Sequence, residues 1–261
     1  MNYRIIAALA LATSPVIFAQ GRGGPAGPPR PAREAAPFDP TGYWVSIIVD
    51  EWRFRVTPQK GDIVYLPINP EARRIAMAWD PSKDEADGKA CKAYGAVGVM
   101  QRPGRLHIAW QDDNTLKIEA DAGTQTRLLH FGSAPAAKGA STWQGYSVAQ
   151  WQTVPRGRGG AVNTTDPSRL APGGMPGGGT LKVITTDMLP GYIRKNGVPY
   201  SENAVLTEYI NLLAGQQSDS YLIDTAMVDD PTYLNQPFVR SYQFKKQSDD
   251  KGWSPTPCWP R

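Results

Sequence analysis

His107, Glu119 and Arg127 place an imidazole, a carboxylate and a guanidinium in one short stretch of a 261-residue chain. Side by side, these groups support acid/base chemistry: Glu119 serves as acceptor or base beside His107, and Arg127 fixes a carboxylate or a hydroxyl-bearing ligand. Whether they meet depends on the strands that carry them. Leu106, Ile108 and Trp110 alternate with Arg105, His107 and Ala109, and Leu116, Ile118 and Ala120 alternate with Lys117, Glu119 and Asp121. A period of two marks paired, half-buried strands. A three-residue loop at Asp112-Asp113-Asn114, with Asn114 left-handed, sets Trp110 opposite Leu116, Ile108 opposite Ile118, Leu106 opposite Ala120 and His107 opposite Glu119. A second three-residue connection, Ala122-Gly123-Thr124, puts Arg127 opposite Glu119, Gln125 opposite Asp121 and Leu128 opposite Ile118. The polar face then reads as two rows, His107-Glu119-Arg127 and Arg105-Asp121-Gln125, with side chains roughly 5 Å apart on neighbouring strands. Facing inward, the rows form a polar site. Facing outward, as the polar side of an antiparallel sheet usually does, they form solvated cross-strand ion pairs.

The same parity assigns His130, beside Leu128 and opposite Leu116, to the apolar face, either as a hydrogen-bonded core histidine or as one lining a cavity. The two histidines of the chain thus fall on opposite faces, and no His107-Glu119-His130 metal centre is expected. Trp110, Trp143, Tyr146 and Trp151 lie in predicted strands, where rings line an apolar pocket or fill a core. With His130 they are the candidate ligand-binding residues. Glu202 and Glu208 share a face, but six residues of strand hold them roughly 20 Å apart, too far for a glycosidase pair. The chain has no Gly-x-Ser-x-Gly, no His-Glu-x-x-His, no Cys-x-x-Cys and no dinucleotide fingerprint, so no cofactor is expected.

The formal charge of +4 does not sit on the part that folds. Arg4 contributes one charge, residues 20–40 a net one and residues 155–179 a net two. The remainder is neutral and offers no basic patch for nucleic acid. Arg4, the apolar run Ile5–Phe18 and the small Ala19 read as a secretory signal over residues 1–19, cleaved after Ala19. Thr13-Ser14-Pro15 interrupts that run, which falls short of the ~20 residues a membrane span requires. A periplasmic or secreted protein is expected, with no span in the mature chain. In an oxidising compartment Cys91 and Cys258 pair, tying the tail of residues 249–261 to the body; two unpaired thiols are the alternative. Residues 20–40, rich in Gly, Pro, Ala and Arg, read as a disordered linker, with folding from Gly42. A second such segment, residues 155–179, contains Gly157-Arg-Gly-Gly160 and Gly173-Gly-Met-Pro-Gly-Gly-Gly179. It reads as a loop inserted between strands, since no Gly-Lys-Ser/Thr follows to bind phosphate.

Strands are predicted at about 42–49, 52–57, 63–66, 97–101, 105–111, 115–121, 125–131, 142–152, 180–188, 191–195, 198–211, 221–228 and 238–246. Asn196-Gly197 predicts a type I′ turn pairing Lys195 with Val198 and Ile193 with Tyr200. One helix interrupts the series: Asn69 caps it, Pro70 occupies its first turn, and Ala72, Ile75, Ala76 and Trp79 share a face. Asp80-Pro81 ends it, and Ser82 with Glu85 has capping-box spacing for a short second turn. The expectation is an all-β domain over residues 41–248, a single antiparallel barrel with one helical excursion near 70–90. A two-sheet sandwich is the alternative.

Several short motifs then recur in order: Cys91-x-x-Tyr94-Gly95; Trp143-Gln-Gly-Tyr146-Ser-Val-x-x-Trp151; Thr180-Leu-Lys-Val-Ile-Thr-Thr186; Asn196-Gly-x-Pro-Tyr-Ser-Glu202 with Glu208-Tyr209; and Val228-Asp-Asp-Pro231 with Gln236-Pro-Phe238. The succession, from Cys91 to Phe244, resembles a widespread, largely uncharacterised group of exported bacterial proteins with a lipocalin-like antiparallel barrel. Members usually carry an acidic Gly-Asp-Thr-Leu turn after the second motif, and here the Gly-rich insertion stands in its place. The resemblance implies a fold and carries no reaction with it.

Three functions fit these readings. A barrel of this size encloses one small apolar or aromatic ligand, with Trp and Tyr lining it. The same fold also supports a lyase, isomerase or hydrolase that needs no cofactor, using Glu119 with His107 and Arg127. A structural or interaction module of the envelope needs neither face inside. Oligomeric state is not legible in the sequence.

Overall fold

A computed structural model describes residues 30–48, 58–132, 140–153 and 179–260. The expected signal at residues 1–19, the linker up to residue 29, the strand at 52–57 and residues 155–178 of the insertion lie outside the described residues. Among the described residues eleven strands are present: β1 (Gly42–Ile47), β2 (Arg105–Asp112), β3 (Thr115–Ala120), β4 (Gln125–Phe131), β5 (Tyr146–Thr153), β6 (Gly179–Thr186), β7 (Gly191–Arg194), β8 (Val198–Tyr200), β9 (Val205–Ala214), β10 (Ser220–Asp229) and β11 (Phe238–Gln247). Nine of them close a barrel in the order β1-β11-β10-β9-β6-β5-β4-β3-β2, while β7 and β8 form a separate hairpin. The all-β barrel expected from the alternation is therefore present, and the sandwich is not. One contact departs from antiparallel pairing: β4 and β5 run parallel, with Leu129 opposite Ser147, His130 opposite Val148 and Phe131 opposite Ala149.

Period-two burial places one face of every barrel strand inside. Leu106 and Ile108 on β2, Leu116 and Ile118 on β3, Leu181 and Val183 on β6, Leu206 and Ile210 on β9, Leu222 on β10 and Phe244 on β11 are all buried, and together they make one core. The helical excursion covers one end. It comprises α1 (Pro70–Ala78), α2 (Pro81–Ala86), a 3-10 turn (Ala90–Tyr94) and α3 (Ala96–Val99). The Asn69 side chain caps α1 by accepting from the Ala72 N–H at 2.9 Å, as expected. Asp80, not Ser82, caps α2, accepting from the Ser82 N–H at 3.0 Å. The residues predicted as a strand at 97–101 instead supply α3. A short apolar run has no period of its own, and here Gln101 fixes the helical turn by donating to the carbonyls of Val97 at 3.0 Å and Ile193 at 2.6 Å. No strand forms at 63–66. The strand expected across 198–211 is split between β8 and β9 by a turn at 201–204, where the buried Asp230 carboxylate accepts from both the N–H and the hydroxyl of Ser201.

The β7–β8 hairpin seats this cap on the barrel. Arg194 pairs with Val198 and Gly191 with Tyr200, with a bulge between Tyr192 and Arg194. The turn thus spans Lys195, Asn196 and Gly197 rather than the two-residue type I′ turn expected. A β-carbon on Gly197 would lie 2.2 Å from Cγ of Trp79, so the turn lies flat against the indole that follows α1. The C-terminal tail reaches the same end through the Cys91–Cys258 disulfide, whose Cα atoms are 5.1 Å apart. No helix among the described residues is long and apolar enough to cross a membrane.

Candidate functional site

The first hairpin keeps the expected partners. His107 faces Glu119, Ile108 faces Ile118 and Trp110 faces Leu116, with a bulge between Trp110 and Asp112 where a left-handed Asn114 was expected to absorb the extra residue. His107 Nδ1 lies 2.9 Å from Glu119 Oε2, and Lys117 Nζ lies 3.0 Å from Oε1. Tyr43 of β1 stacks on the His107 ring at 4.4 Å, and Trp253 of the tail meets both rings edge-on. Burial pushes the Glu119 carboxyl up, but hydrogen bonds from His107 and Lys117, with the Lys117 charge, outweigh it and hold the group below its ordinary value. The arrangement lies on the outer wall, part-exposed, as a cross-strand ion-pair row.

Arg127 does not belong to that row. Ala120 pairs with Gln125, Glu119 with Thr126 and Ile118 with Arg127, one residue out of the expected register, because the connection holds four residues rather than three. Its extra member is Asp121. The Asp121 carboxylate accepts from the Arg105 N–H at 2.7 Å and its carbonyl from the Thr256 N–H at 2.9 Å. Its own N–H donates to the Arg105 carbonyl at 3.1 Å, so it stays against β2 while the pairing with β4 begins at Ala120. A one-residue slip turns a strand over, so Arg127 points inward, and His130, opposite Thr115 rather than Leu116, points outward. There it stacks on Tyr146 at 5.1 Å. His107, Glu119 and Arg127 are thus not brought together.

Inside, Arg127 meets an acid that sequence reasoning had set aside. Nη1 and Nη2 reach the two carboxylate oxygens of Glu208 at 2.9 and 2.7 Å, and Nη2 reaches Thr185 Oγ1 at 3.3 Å. Thr185 in turn lies 2.7 Å from Ser147 Oγ. Asp224, opposite Ile210 on β9 and so diagonal to Glu208 on the same face, is buried near them. Burial works against the charge of Arg127, and the carboxylates of Glu208 and Asp224 outweigh it and hold the guanidinium protonated. Arg127, Glu208 and Thr185 are each no more than 2 % exposed. Packed this tightly, the cluster clamps β4, β5, β6 and β9 together. Its signal was the acidic Glu208 on the same parity as Leu206 and Ile210, a charge written into an apolar stripe.

The opposite end of the barrel differs in chemistry. Trp110, Phe131, Trp151 and Leu212, near the strand ends away from the helical cap, point inward yet remain only partly buried against the core. Trp110 and Phe131 have ring centroids 5.5 Å apart, and Phe131 and Trp151 5.3 Å. These rings form a continuous aromatic wall, which offers apolar contact. Of the ring-bearing candidates, Trp110 and Trp151 belong to this wall. Tyr146 and His130 lie outside the barrel. Trp143 sits before β5 at the helical end, where its carbonyl accepts from the Ala96 N–H at 3.0 Å. Phe131 joins the wall through the register shift that turned β4 over, and no local signal foretold it. Set against family models, curated proteins and solved structures, the chain matches none of them.

Proposed function

We propose that the protein is an exported binder of a small apolar or aromatic molecule, taken up at the aromatic end of the barrel. The observation that carries this reading is a contrast along the inward face. On the inward face of the strands, the residues around Arg127 are buried, whereas Trp110, Phe131, Trp151 and Leu212 keep accessible surface. Apolar pockets with few polar groups are the usual setting for small-ligand recognition. The Cys91–Cys258 bridge supports an oxidising compartment and, with the barrel, is in keeping with the exported group that the motifs resemble.

The test is a titration of the full chain with prodan, a flat aromatic ketone whose emission shifts to the blue in apolar surroundings. Saturable binding is expected, weakened at least tenfold in the Trp110→Leu, Trp151→Leu double variant and unchanged in Trp253→Leu, which alters the outer wall. Binding that does not saturate, or that ignores Trp110 and Trp151, would overturn the reading.

A further inference from the structure

The aromatic wall already has an occupant supplied by the chain itself. Residues 31–40, which composition assigns to the linker, fold back onto it. A turn closes between the Ala35 N–H and the Pro31 carbonyl at 3.0 Å, the Ala32 N–H donates to Asn114 Oδ1 at 2.9 Å, and the Arg33 N–H donates to the Asp113 carbonyl at 3.0 Å. Trp151 Nε1 donates to the Ala32 carbonyl at 2.8 Å. Phe38 lays its ring edge-to-face on Trp151 at 5.2 Å. Pro37 fits because residue 179 is glycine, where a β-carbon would lie 2.6 Å from Pro37 Cγ.

Each contact that a ligand would seek from Trp151 is thus made internally, the ring by Phe38 and the acceptor by the Ala32 carbonyl. The segment is tethered to the barrel by three hydrogen bonds and by Phe38, which packs into the core, but it joins no strand ladder, and Arg33, Glu34 and Ala35 are exposed. Segments with few buried contacts open locally while the core stays folded. A ligand that displaces this one meets the same part-buried indole N–H, which a carbonyl-type acceptor satisfies as the Ala32 carbonyl does.

We infer that residues 31–38 are a built-in competitor for the aromatic end, and that the ligand is a flat aromatic molecule bearing a carbonyl-type acceptor, which binds by displacing them. This rests on the proposed ligand site. The apparent affinity of such a site is its intrinsic affinity scaled by the fraction of molecules in which the competitor has lifted.

Prodan again serves as the probe, now with Asn114→Ala, which unfastens the segment at the β2–β3 turn, and Phe38→Ala, which removes its ring. Both are expected to bind prodan at least tenfold more tightly than the unaltered chain. In the unaltered chain, saturating prodan is expected to speed hydrogen exchange at the Ala32 and Arg33 amides while leaving β9 and β10 protected. Prodan binding of equal strength in all three proteins, with exchange at Ala32 and Arg33 unchanged, overturns the competitor and spares the ligand site. Absence of saturable binding in all three overturns both. Exchange protection in β9 and β10 also reports whether either variant is folded.

Discussion

Arg127 is a cation held where water does not reach, and its two-pronged bond to Glu208 spans strands remote in sequence. Removing one member of such a pair strands the other, which costs about 3–5 kcal/mol, whereas replacing both with apolar groups of similar volume restores much of the loss. Arg127→Met is therefore expected to lower unfolding stability by about 3–5 kcal/mol, and the Arg127→Met, Glu208→Leu double variant to lose less than the two single changes summed. Urea midpoints at constant slope measure both, and strict additivity would refute the clamp. At this scale the sequence was half legible. Glu208 stood on an apolar parity and could be read as inward, but Arg127 had charged partners available on either face, and only the register chose between them.

That register was decided by a turn. The β3–β4 connection takes left-handed φ at Gly123 and Thr124, 79° and 50°, and a β-carbon on Gly123 would sit 2.4 Å from Cδ1 of the buried Tyr94 ring. Gly123→Ala thus adds a steric clash to backbone strain and is expected to cost about 1–3 kcal/mol. Gly88→Ala is the matched control. It too has positive φ, 68°, but nothing lies within 4 Å of an added β-carbon, so only the backbone cost of about 1 kcal/mol remains. Equal thermal shifts for the two variants would show that Tyr94 does not discriminate. The alternation of β2 and β3 was readable because each strand carries its own pattern. The length of the next connection was not, because Asp121 is held in it by bonds from the Arg105 N–H and from the Thr256 N–H, the latter well over a hundred residues further on. The same limit applies to the turn after α3, where Gln101 donates to the carbonyls of Val97 and of the distant Ile193.

Across the whole molecule, one covalent bond joins the helical cap to the tail over a sequence separation of 167. Chain-entropy arguments assign a loop of that size a stabilisation of about 3–5 kcal/mol. A Cys91→Ser, Cys258→Ser variant is expected to lose that much in denaturant unfolding, and labelling of the denatured, unreduced protein to find no reactive thiol at either position. The pairing was legible from a count of two cysteines, and the barrel from its alternating strands, but the ring size was not, since it depends on which strands the hairpin of β7 and β8 leaves out. That size has a consequence of its own. Around a ring whose members alternate up and down, only an even number returns to its starting direction, and nine does not. One like-directed neighbour is then an arithmetical necessity, and the β4–β5 contact supplies it with three residue pairs. From β5 round to β4 every other neighbour is antiparallel, so the barrel is a single ribbon with two margins, closed into a tube at that one short seam and, across it, by the bonds of Arg127 to Glu208 and Thr185.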